Sequence, residues 1–598
     1  MGKTVKKRSE IDNKYKWNLE KMVEAKSFDE LYQEVIQKKE QIQNMQGHIM
    51  SSSASLLSYL KTSDELDRVL EQIYVYAHML CDEDTTNTQA QERKMKTETL
   101  NDDVNEALAF VRPEILSCPY DTVLKYIEEK RELEEYRFAL ESIFRYQKHT
   151  LSKGEEAIIA AASNAFGTGD DVFYNLDNAD IYLGTIKDEN DEEVELTNSN
   201  YGYYVGSQNR RVREDAFKAM YKYFGDFKNT IAAALKGQIK ENFFYSKVRN
   251  YNSPLEASLF HDNIDISVYH NLIDTVHEHF KDMYRYMSFR KQVLGYDEMH
   301  MYDVYADLIQ EKPKEIPFEE GKEIVLEALK PLGMEYISNL QRAFTEKWID
   351  IYPNRGKKSG AYSWGTYDSY PYLSVNYDNR IDSVSTLAHE LGHSMHSYYS
   401  NKNQSFINHG YPIFLAEIAS TVNEILLNDY LYKNAETKEE KILYLTEFLE
   451  KVRTTIYRQT MFAEFEMLMH EKEANGVPLT EQEFSNTYYE LNKLYYGPDV
   501  ISDNVIRYEW ARIPHFYDSF YVYKYATGLS SAIAIAYDIL NGVEGVKERY
   551  LEFLSSGGSD YPLEILKRVG IDMTTKEPIE KALSVFEQKL QELKALYN

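Results

Sequence analysis

Two histidines four residues apart, with a glutamate directly after the first, constrain this chain more than any other feature: His389-Glu390-Leu391-Gly392-His393. On a helix, positions four apart stand one turn above each other, so His389 and His393 present two imidazoles to one metal ion. The local pattern predicts that helix. Asp382 can cap its start, and Val384, Leu387, Leu391 and Met395 recur at spacings of three and four. Gly392 costs up to about 1 kcal/mol of helix propensity, tolerable where a neighbouring backbone or a substrate must come close. Glu390, beside the two imidazoles, is placed to take a proton from a metal-bound water, the arrangement of a hydrolytic zinc site.

An H-E-x-x-H string can arise by chance, so a third ligand is needed. A histidine six residues after the second would supply one, but that position is Tyr399. A glutamate on a second helix is the other solution. Ile413 to Leu427 reads as such a helix, preceded by Pro412 and striped by Phe414, Ile418, Val422 and Ile425. Folding back antiparallel, it brings Glu417 under the histidines, giving His389, His393 and Glu417 as ligands with a fourth position open to water. Glu424 lies two turns further along. It either accepts the free N–H of a ligating imidazole or belongs to a solvated face. His396 reads as a polar residue at the edge of the core.

Composition narrows the partners. A formal charge of -29 over 598 residues, with no long basic run, argues against nucleic acid. The only cysteines, Cys81 and Cys118, form no C-x-x-C and point to a reducing compartment. Met1 to Asn13 are polar and charged, and no run of eighteen apolar residues occurs, so the expectation is a cytoplasmic protein without a membrane anchor. Oligomeric state leaves no trace.

Most of the chain reads as helix. No proline precedes Pro113, and Thr62 with Glu65 resembles a capping box ahead of Leu66, Val69, Leu70, Ile73, Ala77 and Leu80. The helical pattern of Glu155 to Phe166 breaks at Gly167, Gly169, Asp170 and Asp171. Tyr182 to Ile186 and Glu193 to Leu196 then flank a charged turn, a surface hairpin. A boundary at about residue 200 separates an N-terminal helical domain, 1–200, from a catalytic domain, 201–598. Ile442 to Ala474 reads as one long helix whose Arg453 and Arg458 form salt bridges. Gly360-Ala361-Tyr362-Ser363 and Tyr372 to Tyr377 read as two short strands feeding into the metal helix. An edge there can hold an extended peptide by main-chain hydrogen bonds, or the hairpin can simply cover the core.

A second chemical candidate follows Pro514, where His515, Tyr517, Tyr521, Tyr523 and Tyr525 crowd together. Tyrosine O–H and histidine N–H groups are suitable donors to a carbonyl oxygen gaining charge. With 51 tyrosines in the chain, composition alone reads the run as aromatic core, so its weight comes from the metal motif upstream.

Four separated strings, in order, carry a family resemblance: His389-Glu390-Leu391-Gly392-His393-Ser394-Met395-His396; Ala416-Glu417-Ile418-Ala419-Ser420-Thr421 with Glu424; Arg458-Gln459-Thr460-Met461-Phe462-Ala463-Glu464-Phe465; and His515-Phe516-Tyr517 with Phe520-Tyr521-Val522-Tyr523. From about residue 110 onward the chain resembles the oligoendopeptidase F branch of the thimet-oligopeptidase-like zinc metallopeptidases. The resemblance implies a mainly α fold, a large multi-helix body with a deep substrate channel between two halves and a small β-sheet beside the metal helix. It implies one zinc ion per chain and internal cleavage of short unfolded peptides. By motif, His389, His393 and Glu417 match the metal ligands and Glu390 the general base. His515 matches a carbonyl-stabilising group, with Tyr523 preferred and Tyr517 kept as the tyrosine donor, and Tyr521 with Gly360, Ala361 and Tyr362 as substrate contacts. A helical metallocarboxypeptidase and a peptide-binding protein with a structural zinc are the rivals.

Overall fold

Apolar residues at helical spacing, bounded by Ser, Thr, Asn and Asp caps, make helices of most of the computed structural model, which describes residues 5–309 and 314–597. The chain forms two compact units, each assembled from three separate segments. One comprises Met1–Lys148, Pro313–Tyr430 and Ile535–Gly570, the other His149–Lys312, Leu431–Ala534 and Ile571–Asn598. The sequence boundary at about residue 200 falls inside the second of these.

In the first unit, Phe28–Gln43 starts at a capping box of Ser27 and Glu30 and buries Leu31, Val35 and Ile42 against Ser53–Glu83. That second helix begins earlier than expected, with Ser52 as its cap, and runs straight through Thr62. Buried Leu56, Leu57 and Leu60 already supply an apolar face before that point. The Thr62 hydroxyl is satisfied instead by the Ser58 carbonyl one turn back, at 2.8 Å.

The two expected strands are present but shorter, Tyr362–Trp364 and Tyr372–Ser374, paired antiparallel with Ser363 opposite Leu373. A third strand that the sequence reading missed, Ile349–Asp350, runs parallel to Tyr372–Ser374 on its other side. At two residues it has no alternation to read. Tyr362–Trp364 is therefore an edge strand. It packs on the histidine helix, Ile381–Asn403, with Ser363 Oγ 2.7 Å from Ser394 Oγ. That helix is capped at Arg380, two residues before the expected Asp382, and Asp382 sits in the first turn at the positive end of the helix dipole.

The second unit carries the expected hairpin, Thr185–Lys187 paired antiparallel with Glu193–Glu195, its turn closed by Asp188 accepting from the Asn190 and Glu192 amides. Arg210–Val248, capped by Asn209, is its longest helix among the described residues. Gly167 to Asp171 do not end the helical stretch: Thr168–Tyr174 is helical as well. Gly169 serves close packing, since a Cβ there would lie 2.9 Å from the Ala234 carbonyl oxygen. Ile442 to Ala474 is also not one regular helix. A π-helical turn, Arg453–Tyr457, joins Lys438–Val452 to Arg458–Ala474. Both arginines form the expected salt bridges, Arg453 with Glu450 and Arg458 with Glu509. Cys81 and Cys118 are free thiols, and among the described residues no helix is long and apolar enough to cross a membrane.

Candidate metal centre

The histidine helix and the following helix, Ile413–Asn434, meet at a point with no side chain between them. A Cβ on Gly392 would stand 2.5 Å from Ser420 Cα and 2.8 Å from the Ala419 carbonyl oxygen, so only glycine allows this approach. Buried Asn423 bridges the same pair, donating to the Ala388 carbonyl at 3.0 Å and accepting from the Tyr336 hydroxyl at 3.2 Å. The close crossing is what carries Glu417 to the histidines.

Three donor atoms converge as a result. His389 Nε2 lies 3.1 Å from His393 Nε2, and Glu417 Oε2 lies 3.6 and 3.7 Å from the two nitrogens. Ligands about 2.0–2.1 Å from a tetrahedral zinc ion are separated by about 3.3–3.4 Å, so the observed spacings suit such an ion. Among the described residues, His389, His393 and Glu417 are the group placed to hold a metal. His389 and Glu417 are each oriented by a further contact. His389 donates its Nδ1–H to Glu424, which leaves Nε2 with its lone pair facing inward. The Ser420 hydroxyl is 3.3 Å from Glu417 Oε2. Burial, with the neighbouring His389 adding to it, pushes the His393 pKa down to about 4, which keeps the imidazole in the neutral form that binds metals.

Glu390 stands beside this group, 7 % exposed. Burial pushes its carboxyl up to about 7; His389 opposes the shift, Glu417 adds to it, and a hydrogen bond with the Ser363 backbone again opposes it. That last bond ties Glu390 to the edge strand that follows Gly360 and Ala361. Gly360, at φ +84°, accepts from Asn376 at 2.8 Å, and the Tyr362 hydroxyl is taken by Asp82 at 2.9 Å. Tyr362–Trp364 is thus an edge strand whose Tyr362 phenol is already engaged. His396 takes no part: it is fully buried, stacked 3.6 Å on Tyr411 and held neutral, its pKa pushed down to about 3 by burial.

The second cluster lies in the other compact unit. His515 is brought together with Tyr525, 3.2 Å from its hydroxyl, and with the ring of Tyr521, at 6.1 Å. Burial lowers its pKa. Tyr517 instead stacks on Phe173 at 4.6 Å, and Tyr523 is fully buried against Tyr269 at 5.3 Å. Sequence reasoning named Tyr525 in the cluster but gave the donor role to Tyr523 or Tyr517. Tyr525 lies in the first turn of the helix Tyr523–Leu540, and Tyr521 lies just before that helix, with the two rings 5.4 Å apart. Asn423 and Ser420 were missed, though they share the carboxylate helix with Glu417 and Glu424.

Comparison with known proteins agrees with this geometry. Residues 203–585 match the model of peptidase family M3, and residues 114–182 that of oligopeptidase F. The chain is 42 % identical over 593 residues to oligopeptidase PepF of Bacillus subtilis, covering 98 % of this chain and 88 % of that protein. It is 40 % identical to the group B oligopeptidase PepB of Streptococcus agalactiae, covering 98 % of both. The crystal structure of oligoendopeptidase-F from Enterococcus faecium superposes with a TM-score of 0.73 at 39 % identity, over 95 % of this chain and 98 % of that one. A convergent His-His-Glu triad within a fold and sequence so matched leaves one assignment: the chain belongs to peptidase family M3, in its oligopeptidase F group, and is a metallo-oligopeptidase.

Proposed function

We propose that this peptidase is a zinc-dependent endopeptidase of the cytoplasm, cutting internal bonds of short unfolded peptides with Glu390 as the proton carrier. The observation that carries the reading is the placing of a buried carboxylate, Glu390, on the same helix as two of three converging donors and against a backbone edge. A zinc ion held by His389, His393 and Glu417 would lower the pKa of a bound water to about 7 and polarise the peptide carbonyl. The chain's own groups supply the rest. Glu390 accepts the proton of the attacking water at a carboxylate oxygen and returns it to the leaving amine nitrogen. Glu424 holds the His389 tautomer. The backbone of Gly360 and Ala361 aligns the substrate as an added strand. His515, with Tyr523 or Tyr517 as the tyrosine donor and Tyr521 toward the substrate, is assigned on its motif to the carbonyl oxygen.

The test uses an internally quenched peptide of about ten residues, blocked at both ends, with metal content measured on the same sample. One zinc per chain and internal cleavage, abolished by chelator and restored by zinc, is the expected result. Glu390→Gln should keep its zinc and lose turnover by about 10²- to 10⁴-fold. Trimming of unblocked peptides only, one residue at a time, would show a carboxypeptidase, and full activity of Glu390→Gln would discard the proton-carrier role.

A further inference from the structure

A cavity of about 960 Å³ in the second unit is lined by Tyr201, Tyr203, Ser207, Asp307, Arg458 and Arg512. Its polar groups are unevenly satisfied. Glu509, 2 % exposed, takes Arg458 at 2.5 Å and the hydroxyls of Tyr221 and Tyr488 at 3.1 and 2.5 Å, and it meets Arg512 through charge but without a direct ion pair. Arg512 is left with one long hydrogen bond, 3.5 Å to the Tyr221 hydroxyl, and a position 5.3 Å above the Tyr201 ring. Among the described residues it forms no direct ion pair. Tyr201, only 6 % exposed, has a hydroxyl with no hydrogen-bond partner.

A guanidinium that meets Glu509 and Asp177 only through longer-range charge, and a buried hydroxyl without an acceptor, are both incompletely satisfied. Here both border one cavity, and both present donors. We propose that this cavity binds a small oxyanion, seated on Arg512 and the Tyr201 hydroxyl. The guanidinium fork and the O–H suit a carboxylate or a phosphate group. Two carboxylates also border the cavity: Glu189, which accepts from the Ser207 hydroxyl, and Asp307, whose pKa is raised by burial. They repel polyanions, so the ligand carries a single anionic group. Exposed Tyr203 adds an aromatic wall for an apolar portion. A terminal carboxylate on a small amphipathic molecule meets all of these conditions, and inorganic phosphate meets the anionic one.

The experiment is calorimetric titration of the zinc-loaded full chain with N-acetylphenylalanine, its uncharged amide and inorganic phosphate. Wild type, Arg512→Gln and Tyr201→Phe are compared, with folding checked by unfolding midpoint. The expected result is binding of at least one anion and not of the amide, weakened about 10-fold or more in Arg512→Gln and measurably in Tyr201→Phe. Preference for the acid over phosphate identifies a carboxylate ligand, and the reverse identifies a phosphate. Because a carboxylate can also meet the zinc site, only the component lost with Arg512 or Tyr201 counts. Equal affinities in all three proteins, or equal binding of acid and amide, would overturn the proposal. If Arg512→Gln fails to fold, the Tyr201→Phe comparison alone decides, since it removes a single hydroxyl that bonds nothing.

Discussion

At the scale of single residues, the metal centre depends on groups that do not touch the metal position. Glu424 holds the His389 ring by its Nδ1–H, so Glu424→Gln should lower zinc affinity about 10- to 100-fold. Competition with a chromophoric chelator measures it, and unchanged affinity would make Glu424 a bystander. A second residue effect concerns stability. His279 Nδ1 bonds Asp282 at 2.8 Å; that bond raises the His279 pKa, with burial opposing. The Asp282 carboxyl is lowered, burial being outweighed by its bonds to His279 and Arg285. Glu278 and Glu580 add to the acidic surroundings of the ring. A raised histidine stabilises the fold fully below its unfolded pKa of about 6.5, and that contribution is lost as pH rises through the folded value. The lowered carboxyl contributes above about 3.9 and is lost on acidification. Urea unfolding between pH 6 and pH 8 should therefore show a fall in stability that His279→Gln lessens. Parallel pH profiles for the two proteins would refute the linkage.

At the scale of elements, the crossing of two helices decides whether the site exists. Gly392→Ala puts a methyl 2.5 Å from the Ser420 backbone, which no side-chain rotation can relieve. Forced separation should cost about 1–3 kcal/mol by urea unfolding and weaken zinc binding, because it moves Glu417 from the histidines. Gly237 is the control. It lies exposed within Arg210–Val248 with nothing within 4 Å of an added Cβ. Gly237→Ala should stabilise by about 0.5–1 kcal/mol. Two glycines in two helices are thus expected to respond with opposite signs, and matching signs would show that intrinsic propensity outweighs packing.

At the scale of the whole molecule, the compact units do not follow chain order. Each is built from three segments, and the N-terminal 200 residues belong partly to one and partly to the other. A fragment ending at residue 200 would remove Arg210–Val248, against which Gly169 and its helix pack with the Ala234 carbonyl oxygen as a neighbour. The apolar cluster that runs from Leu31 to Phe144 lies wholly within the retained part. Hydrogen exchange on such a fragment should show protection within residues 28–144 and none across 168–174. Protection of the latter would mean that the N-terminal stretch folds as one domain after all.

Covalent spacing and local periodicity determined a good part of this protein. Residues four apart on an amphipathic segment share a face whatever surrounds them, so the His389 and His393 pair, the helix carrying Glu417 and Glu424, and the hairpin around Lys187 to Glu192 were legible from the chain alone. The long-range contacts were not. The strand Ile349–Asp350 is too short to leave a pattern, Thr62 and Gly167 offered stop or start signals that burial on either side overrode, and the choice of Tyr525 beside His515 depends on which faces the second unit buries. Only tertiary structure decided that Gly392 meets Ser420, that Glu390 is desolvated against Ser363, and that Arg512, with no direct ion pair, and the unpartnered Tyr201 hydroxyl border one cavity. Those outcomes depend on which backbone is excluded from water by which distant segment, and hydrophobic packing is non-directional, so no local pattern encodes them.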